Sequence, residues 1–279
     1  MLSILVPTDY SPEAKNALHY AYQFALYTNS NLVLYHAMPA IVPVTEMPFE
    51  SYYLDEDEEQ QMLLDTYTNF ISGLGLNPVK VQVKALVDMQ TQITTGIKEA
   101  FEKSNCDLVI MGTHGASGFR KVFLGSTTAK LISNAIFPVI AIPGTYKFAP
   151  VYHLIYASDL QELNDELAVL IPFAEVFHAV LEVIYFDYAG PESEKLMMDA
   201  ETYILSLSYK NITLSIKKGN LQLNLAENLR KHINYNNTQL LIMYRGSHTW
   251  VDNLFMGSNS QKMVLESGLP VLILQKIID

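Results

Sequence analysis

Cysteine is almost missing from this 279-residue chain, and Cys106 is its only example. A single thiol closes no internal disulfide, so a cross-linked extracellular scaffold is excluded and a reducing cytoplasm is the expected setting. Cys106 itself reads as a small buried packing residue where a strand over 106–111 begins. Positive charge is scarce too: 18 Lys and Arg stand against 29 Asp and Glu, for a formal net charge of −11. Cutting at Pro150 leaves 9 basic and 14 acidic residues before it and 9 and 15 after it, so both halves are acidic. No Lys/Arg cluster interleaved with aromatics is present, and no nucleic-acid partner is expected. Long apolar runs are also lacking, because Pro or a charged residue interrupts each one before the roughly twenty residues a membrane span needs. The chain opens Met1-Leu2-Ser3-Ile4-Leu5-Val6-Pro7 without a basic leader, so neither a signal peptide nor a membrane partner is expected. What the chain has in quantity is apolar residues, 49% against 17% charged, enough for two cores of ordinary size.

The chain resembles itself. Leu108-Val-Ile-Met-Gly, Leu124-Gly125-Ser126 and Phe137-Pro138-Val139-Ile140-Ala141-Ile142 match Leu240-Leu-Ile-Met-Tyr, Met256-Gly257-Ser258 and Leu269-Pro270-Val271-Leu272-Ile273-Leu274 without a gap. Upstream, Leu5-Val6-Pro7-Thr8-Asp9 matches Ile155-Tyr156-Ala157-Ser158-Asp159. The offset is 150 residues at the aspartates and 132 at the Gly-Ser pairs, so the first copy carries about 18 extra residues, placed between Met38 and Asp65. Two units follow, 1–146 and 151–279, joined by a short turn-rich linker that keeps them close.

Within the first copy, strands and helices alternate. Ser3 to Val6 is a strand, and Ser11-Pro12 reads as N-cap and first residue of a helix. That helix places Ala14, Ala17, Leu18, Ala21, Phe24 and Ala25 on one face. There follow a strand over 31–36, a helix near 58–74, a strand over 79–85, a helix near 90–104, a strand over 106–111, a helix over 127–134 and a strand over 139–142. Apolar strands alternating with helices predict an α/β fold, two tandem doubly wound five-stranded parallel sheets; the order 3-2-1-4-5 is the arrangement expected, though alternation by itself does not fix it. Asp55 to Glu59 is an unbroken acidic run. A metal site is one reading of it, and a solvated helix start favoured by the dipole is the better one.

The functional signal is Gly112-x2-Gly115-x9-Gly125-Ser126, set between a buried strand and a helix. Glycines let main-chain amides approach an anion with no Cβ in the way, and the unpaired N–H groups of the following helix favour phosphate. In strand order 3-2-1-4-5, Thr8-Asp9 after the first strand would face the same crevice as Gly112 after the fourth.

These residues resemble the universal stress protein family: Val6-Pro7-Thr8-Asp9-Tyr10-Ser11, Leu34-Tyr35-His36-Ala37, Met111-Gly112-Thr113-His114-Gly115 and Gly125-Ser126-Thr127 match its nucleotide-binding pattern. The resemblance implies an adenine-nucleotide alpha-hydrolase-like fold and ATP as ligand, with Mg2+ as an optional companion. It places Asp9 and Ala37 by the adenine and ribose, with Pro7, Thr8 and Met111 among the nucleotide-binding residues. Gly112 and Gly115 would let the backbone approach the ribose and phosphates, and Gly125, Ser126 and Thr127 would hold phosphate. His114, Arg120, Lys121 and Lys130 are read as loop or surface residues. No catalytic residue and no metal ligand is assigned.

In the second copy Tyr244 and Ser247 replace Gly112 and Gly115, and a tyrosine there is expected to occupy the ribose position. Gly246 leaves open a shifted loop, and Trp250 is read as packing. Pro172 predicts a kink in the helix over 166–179. The resemblance further implies an intramolecular pseudo-dimer, with strands 139–142 and 271–274 near its axis, or a homodimer. The leading expectation is an ATP-binding stress-response regulator. The alternatives are a slow ATPase or adenylyl-transfer enzyme on the same fold and an interaction protein without nucleotide. Neither a G-x4-G-K-[ST] loop nor paired carboxylates beside the glycines favour the enzyme.

Overall fold

The structure is a computed structural model and describes residues 1–39, 55–90, 92–113, 126–134, 137–188, 190, 193–223, 225–233, 237–245 and 268–275. The first half contains β1 (Ser3–Pro7), α1 (Pro12–Thr28), β2 (Asn31–Pro39), α2 (Glu56–Gly73), β3 (Val83–Gln90), α3 (Ile93–Lys103), β4 (Leu108–Gly112), α4 (Ser126–Asn134) and β5 (Val139–Ile142). The second contains β6 (His153–Ala157), α5 (Leu163–Phe177), β7 (Val180–Asp187), α6 (Ser193–Ser206), β8 (Ile212–Lys218), α7 (Leu225–His232), β9 (Leu240–Arg245) and β10 (Val271–Gln275).

All ten strands form one sheet of order β3-β2-β1-β4-β5-β10-β9-β6-β7-β8. Each half is parallel and has the expected 3-2-1-4-5 order. The halves meet at the antiparallel pair β5·β10, where Val271 faces Ala141, Leu272 faces Ile140 and Ile273 faces Val139. Ile140 and Leu272 are equivalent under the 132-residue offset, so the register is symmetric about that pair: a pseudo-twofold axis crosses the sheet there. Joining the two edges gives each an intramolecular partner in place of an exposed hydrogen-bonding edge.

Helices cover both faces, which is why β4 and β5 are buried at every residue. The α1 and α5 side has a core containing Ile4, Phe24, Leu34, Ile110, Leu154, Leu167 and Ile242. The α3 and α4 side has another, with Leu5, Val33, Ile97, Leu131, Val109 and Leu241. Helix α1 starts as its sequence dictates: Ser11 Oγ accepts from Ala14 N at 3.1 Å, and Pro12 occupies the first turn. Its apolar face is buried along its length, and Tyr20 and Tyr22 join the residues expected there. Phe24 reaches across the pseudo-twofold to Phe177 and Phe173 on α5, with ring centroids 5.4 and 6.3 Å away. The acidic run caps α2: Asp55 Oδ1 accepts from both Asp57 N and Glu58 N at 3.1 Å. Among the described residues no group of His, Cys, Asp and Glu is arranged to hold a metal ion. Nor is any described helix long and apolar enough to cross a membrane.

Three local expectations need correction. The strand expected over 79–85 begins later, at Val83, and runs to Gln90. Asn77 Oδ1 accepts from Val79 N and Pro78 opens a turn of 3-10 helix, while Tyr22 and Tyr67 hydroxyls donate to the Asn77 and Pro78 carbonyls. The following helix therefore starts at Ile93 instead of near Gln90. Cys106 is buried as expected but lies two residues before β4. Apart from these three, Pro172 lies inside α5, which continues to Phe177; the carbonyl deprived of a donor is that of exposed Ala168.

The second half carries a polar pair at the start of its sheet. His153 Nε2 lies 3.2 Å from a Glu182 carboxylate oxygen, and Nδ1 lies 3.4 Å from Thr238 Oγ1. The hydrogen bond from His153 holds the Glu182 carboxyl below its ordinary value, outweighing burial, which acts the other way. A carboxylate depressed in the folded state stabilises the fold above its unfolded-state pKa, and that stability is lost as pH falls through the folded value. The wild-type advantage over Glu182→Gln in thermal unfolding is therefore expected to be full near neutrality and to shrink below the ordinary value of 4.5. A difference that stays constant to the acid limit would show that packing, and not ionisation, is responsible.

Candidate functional site

The crevice forms where β1, β2 and β4 end and the winding reverses. Beyond Pro7, Thr8 N continues the ladder to the Tyr35 carbonyl at 2.8 Å. The chain then turns sharply. Thr8 Oγ1 accepts from Tyr10 N, and Asp9 Oδ1 accepts from Ser11 N, each at 3.1 Å. Tyr10 takes φ 61°, a strained left-handed conformation for an aromatic residue. Its ring rests 4.6 Å from that of His36, whose Nδ1 donates to the Thr8 carbonyl at 2.8 Å. Burial first, and then the Glu59 charge, push the Tyr10 phenol up, so its hydroxyl stays protonated.

From the other side, β4 delivers Met111 and Gly112, and Thr113 N bonds to the Ile142 carbonyl at 3.0 Å. Buried Thr128, in the first turn of α4, donates its hydroxyl to the Gly112 carbonyl at 2.9 Å. That bond ties the start of α4, with Ser126 and Thr127, to the end of β4. Thus Pro7, Thr8, Asp9, Ala37, Met111, Gly112, Ser126 and Thr127 lie on elements that converge at one end of the sheet. Gly115 and Gly125 lie outside the described residues, as do His114, Arg120, Lys121, Ser247, Gly246 and Trp250.

The second half repeats the turn. Ser158 N bonds to the Ile184 carbonyl at 3.0 Å, Ser158 Oγ accepts from Leu160 N, Asp159 Oδ1 accepts from Gln161 N, and Leu160 takes φ 64°. Tyr244, however, packs into the core. Along β9, Leu240, Ile242 and Tyr244 alternate onto the α5 side. The Tyr244 hydroxyl donates to the Glu166 carbonyl at 3.2 Å, and its ring meets Tyr156 edge-on at 5.7 Å. Tyr156 in turn donates to the Glu166 carboxylate. Burial and the neighbouring Glu166 push both phenols well up. The residue that narrows the second crevice is Phe186, which stands at the Ala37 position of β7. It is buried and packed edge-on against His232 at 5.2 Å.

Sequence reasoning also missed what lies beside Ala37. Tyr35, 1% exposed, donates its hydroxyl to Asp88 Oδ1 at 2.7 Å, and Gln90 Nε2 donates to Asp88 Oδ2 at 3.3 Å. Gly96 makes this possible, because a Cβ on it would lie 2.0 Å from the Tyr35 hydroxyl and 2.6 Å from Gln90 Cγ. Alanine in place of a helical glycine normally stabilises by about 1 kcal/mol. Here the sign is expected to reverse: Gly96→Ala should destabilise by about 1–3 kcal/mol in urea unfolding, since Tyr35 has no room to yield. A stabilised variant would show that the contact relaxes freely. A glycine inside an apolar-periodic helix, between Thr95 and Ile97, was the available signal, and without the fold it named no neighbour.

Comparison with known proteins now decides the family. The sequence profile described as the universal stress protein family matches residues 1–143. The chain belongs to that family. A universal stress protein of Methanocaldococcus jannaschii is 28% identical over 143 residues, half of this chain and 80% of the relative. A second from the same organism is 25% identical over 152 residues, covering half of this chain and 93% of its own length. Among solved structures, a universal stress protein from Archaeoglobus fulgidus superposes with a TM-score of 0.69 at 19% identity, covering 98% of both chains. At that identity the likeness concerns the fold, and it extends over both halves of this tandem chain.

Proposed function

We propose that this universal stress protein binds ATP in the crevice of its first half and acts as a cytoplasmic regulatory module whose conformation or partner choice follows nucleotide occupancy. The observation that carries the reading is the convergence of the Thr8-Asp9 turn, small Ala37, bare Gly112 and the tethered start of α4 at the switch point of a doubly wound sheet. Such a place offers main-chain N–H groups to phosphate and a flat floor to a base. Residues 1–146 form the binding unit in this reading. Residues 151–279, with Phe186 at the Ala37 position, form a partner unit that binds no ATP, so one nucleotide binds per chain.

The test is calorimetric titration of the full chain with ATP. One site per chain is expected, and Gly115→Val should weaken it by about tenfold or more with an unchanged circular dichroism spectrum, since overpacking the loop costs on the order of 1–3 kcal/mol. Equal affinity in the variant would remove the glycine loop from the site. Two sites per chain would show that Phe186 does not close the second crevice.

A further inference from the structure

We propose that Asp88 selects the base in the first-half crevice, its carboxylate accepting a hydrogen bond from the exocyclic amine of adenine; this rests on the nucleotide reading above. Asp88 is the Cα partner of Ala37 in the parallel pair β2·β3, so the two occupy neighbouring positions on one face at the ends of their strands. That face is the one covered by α3 and α4, where Ala37 packs at the rim of the core. Strands lie about 4.8 Å apart, which puts Asp88 two strands, roughly 10 Å, from the end of β1 where Asp9 turns. A nucleoside laid over Ala37, with its sugar toward Asp9, presents its base edge to Asp88.

The carboxylate is held in place for such a role. Tyr35 donates to one oxygen and Gln90 to the other, and Gln90 is itself braced by Glu99 at 3.1 Å. Burial and the Asp88 hydrogen bond push the Tyr35 phenol far up, so it remains a donor. Each carboxylate oxygen keeps a second lone pair for a ligand.

The molecule supplies its own comparison. Equivalent positions in the second half, given by the matching strand registers and the 132-residue offset, hold Ile184 for Tyr35, Lys217 for Asp88, Gly219 for Gln90 and Asn228 for Gly96. All four parts of the arrangement are absent from the half whose glycine motif is degraded, and the acceptor is replaced by a cation. A purely structural brace for the end of β3 would have no reason to follow the glycines.

The chemistry separates bases at one position. Adenine carries an N–H donor where hypoxanthine carries a carbonyl oxygen, and a carboxylate attracts the first and repels the second. Guanine carries the same carbonyl, but its N1–H and amino group could also meet an acceptor. The experiment is calorimetric titration of the full chain and of Asp88→Asn with ATP, ITP and GTP. The variant keeps an amide oxygen for the Tyr35 hydroxyl but loses the negative charge and one of the two acceptor oxygens.

The unaltered chain is expected to prefer ATP to ITP by about tenfold or more, and Asp88→Asn to bring the two within about threefold, ATP binding more weakly and ITP more tightly than in the unaltered chain. An unchanged ATP preference in the variant, joint loss of ATP and ITP, or tighter binding of GTP than ATP by the unaltered chain would each overturn the assignment. If the unaltered chain binds none of the three, the nucleotide reading itself fails. If it binds ATP and the variant keeps the preference, only the role of Asp88 fails.

Discussion

Phe24→Ala is expected to lower the stability of the whole chain, and not only of its first half, by about 3–5 kcal/mol. Phe24 is fully buried one turn from the end of α1, and its ring contacts Tyr20 within its own half and Phe173 and Phe177 across the pseudo-twofold. Removing the ring leaves a cavity whose far wall belongs to α5, and each aromatic pair lost adds about 0.5–1.5 kcal/mol to the burial term. Because β5 and β10 are hydrogen-bonded into one sheet beneath this cluster, the halves are expected to unfold together. The check is urea unfolding followed by circular dichroism for the entire chain and by fluorescence of Trp250, the only tryptophan, for the second half. The two transitions should coincide and shift together in the variant. A fluorescence midpoint left in place while the circular dichroism midpoint moves would show that the halves are energetically separate.

The second large effect concerns Tyr244. Replacing it by glycine would restore the first copy's residue, and with Tyr244 expected at the ribose position that change would be a step toward reopening a nucleotide site. The structure reverses the expectation. Tyr244 is 9% exposed, packs edge-on against Tyr156 and hydrogen-bonds to the Glu166 carbonyl. Tyr244→Gly should therefore cost about 3–5 kcal/mol by emptying a core position, with a further loss of up to about 1 kcal/mol for glycine in a strand, and should gain no ATP binding. Thermal unfolding with and without ATP measures both outcomes. A variant that melts near the wild-type temperature and takes up a second ATP per chain would return Tyr244 to the crevice.

These two residues mark where sequence reading succeeds and where it stops. Phe24 was legible as a core residue, since a helical face at 3- and 4-residue steps has to be buried somewhere. That its partner would be α5 was not, because periodicity says that a face is apolar and not what it meets. Tyr244 was legible as a lost glycine, and its consequence was misread. Alternation along β9 assigns the side chain to a face, but which face lines the crevice depends on where the following helix docks. Phe186 was missed for the same reason: nothing in its local sequence pairs it with Ala37 until strand registers are known. Asp88 and Gly96 lie on different elements, and only the packing of α3 against the ends of β2 and β3 brings them together.

The sequence by itself determined the doubling of the chain, the strand and helix alternation, the cap at Ser11, the acidic helix start after Asp55, and the glycine motif of the first copy. All of these arise from residues close together along the chain or from repetition of one unit. The tertiary structure alone decided the antiparallel join of β5 to β10, the side of the sheet to which Tyr244 turns, and the bracing of Asp88 by Tyr35 beneath Gly96. Those depend on contacts between residues far apart in sequence, whose partners local propensity does not encode and packing in three dimensions selects.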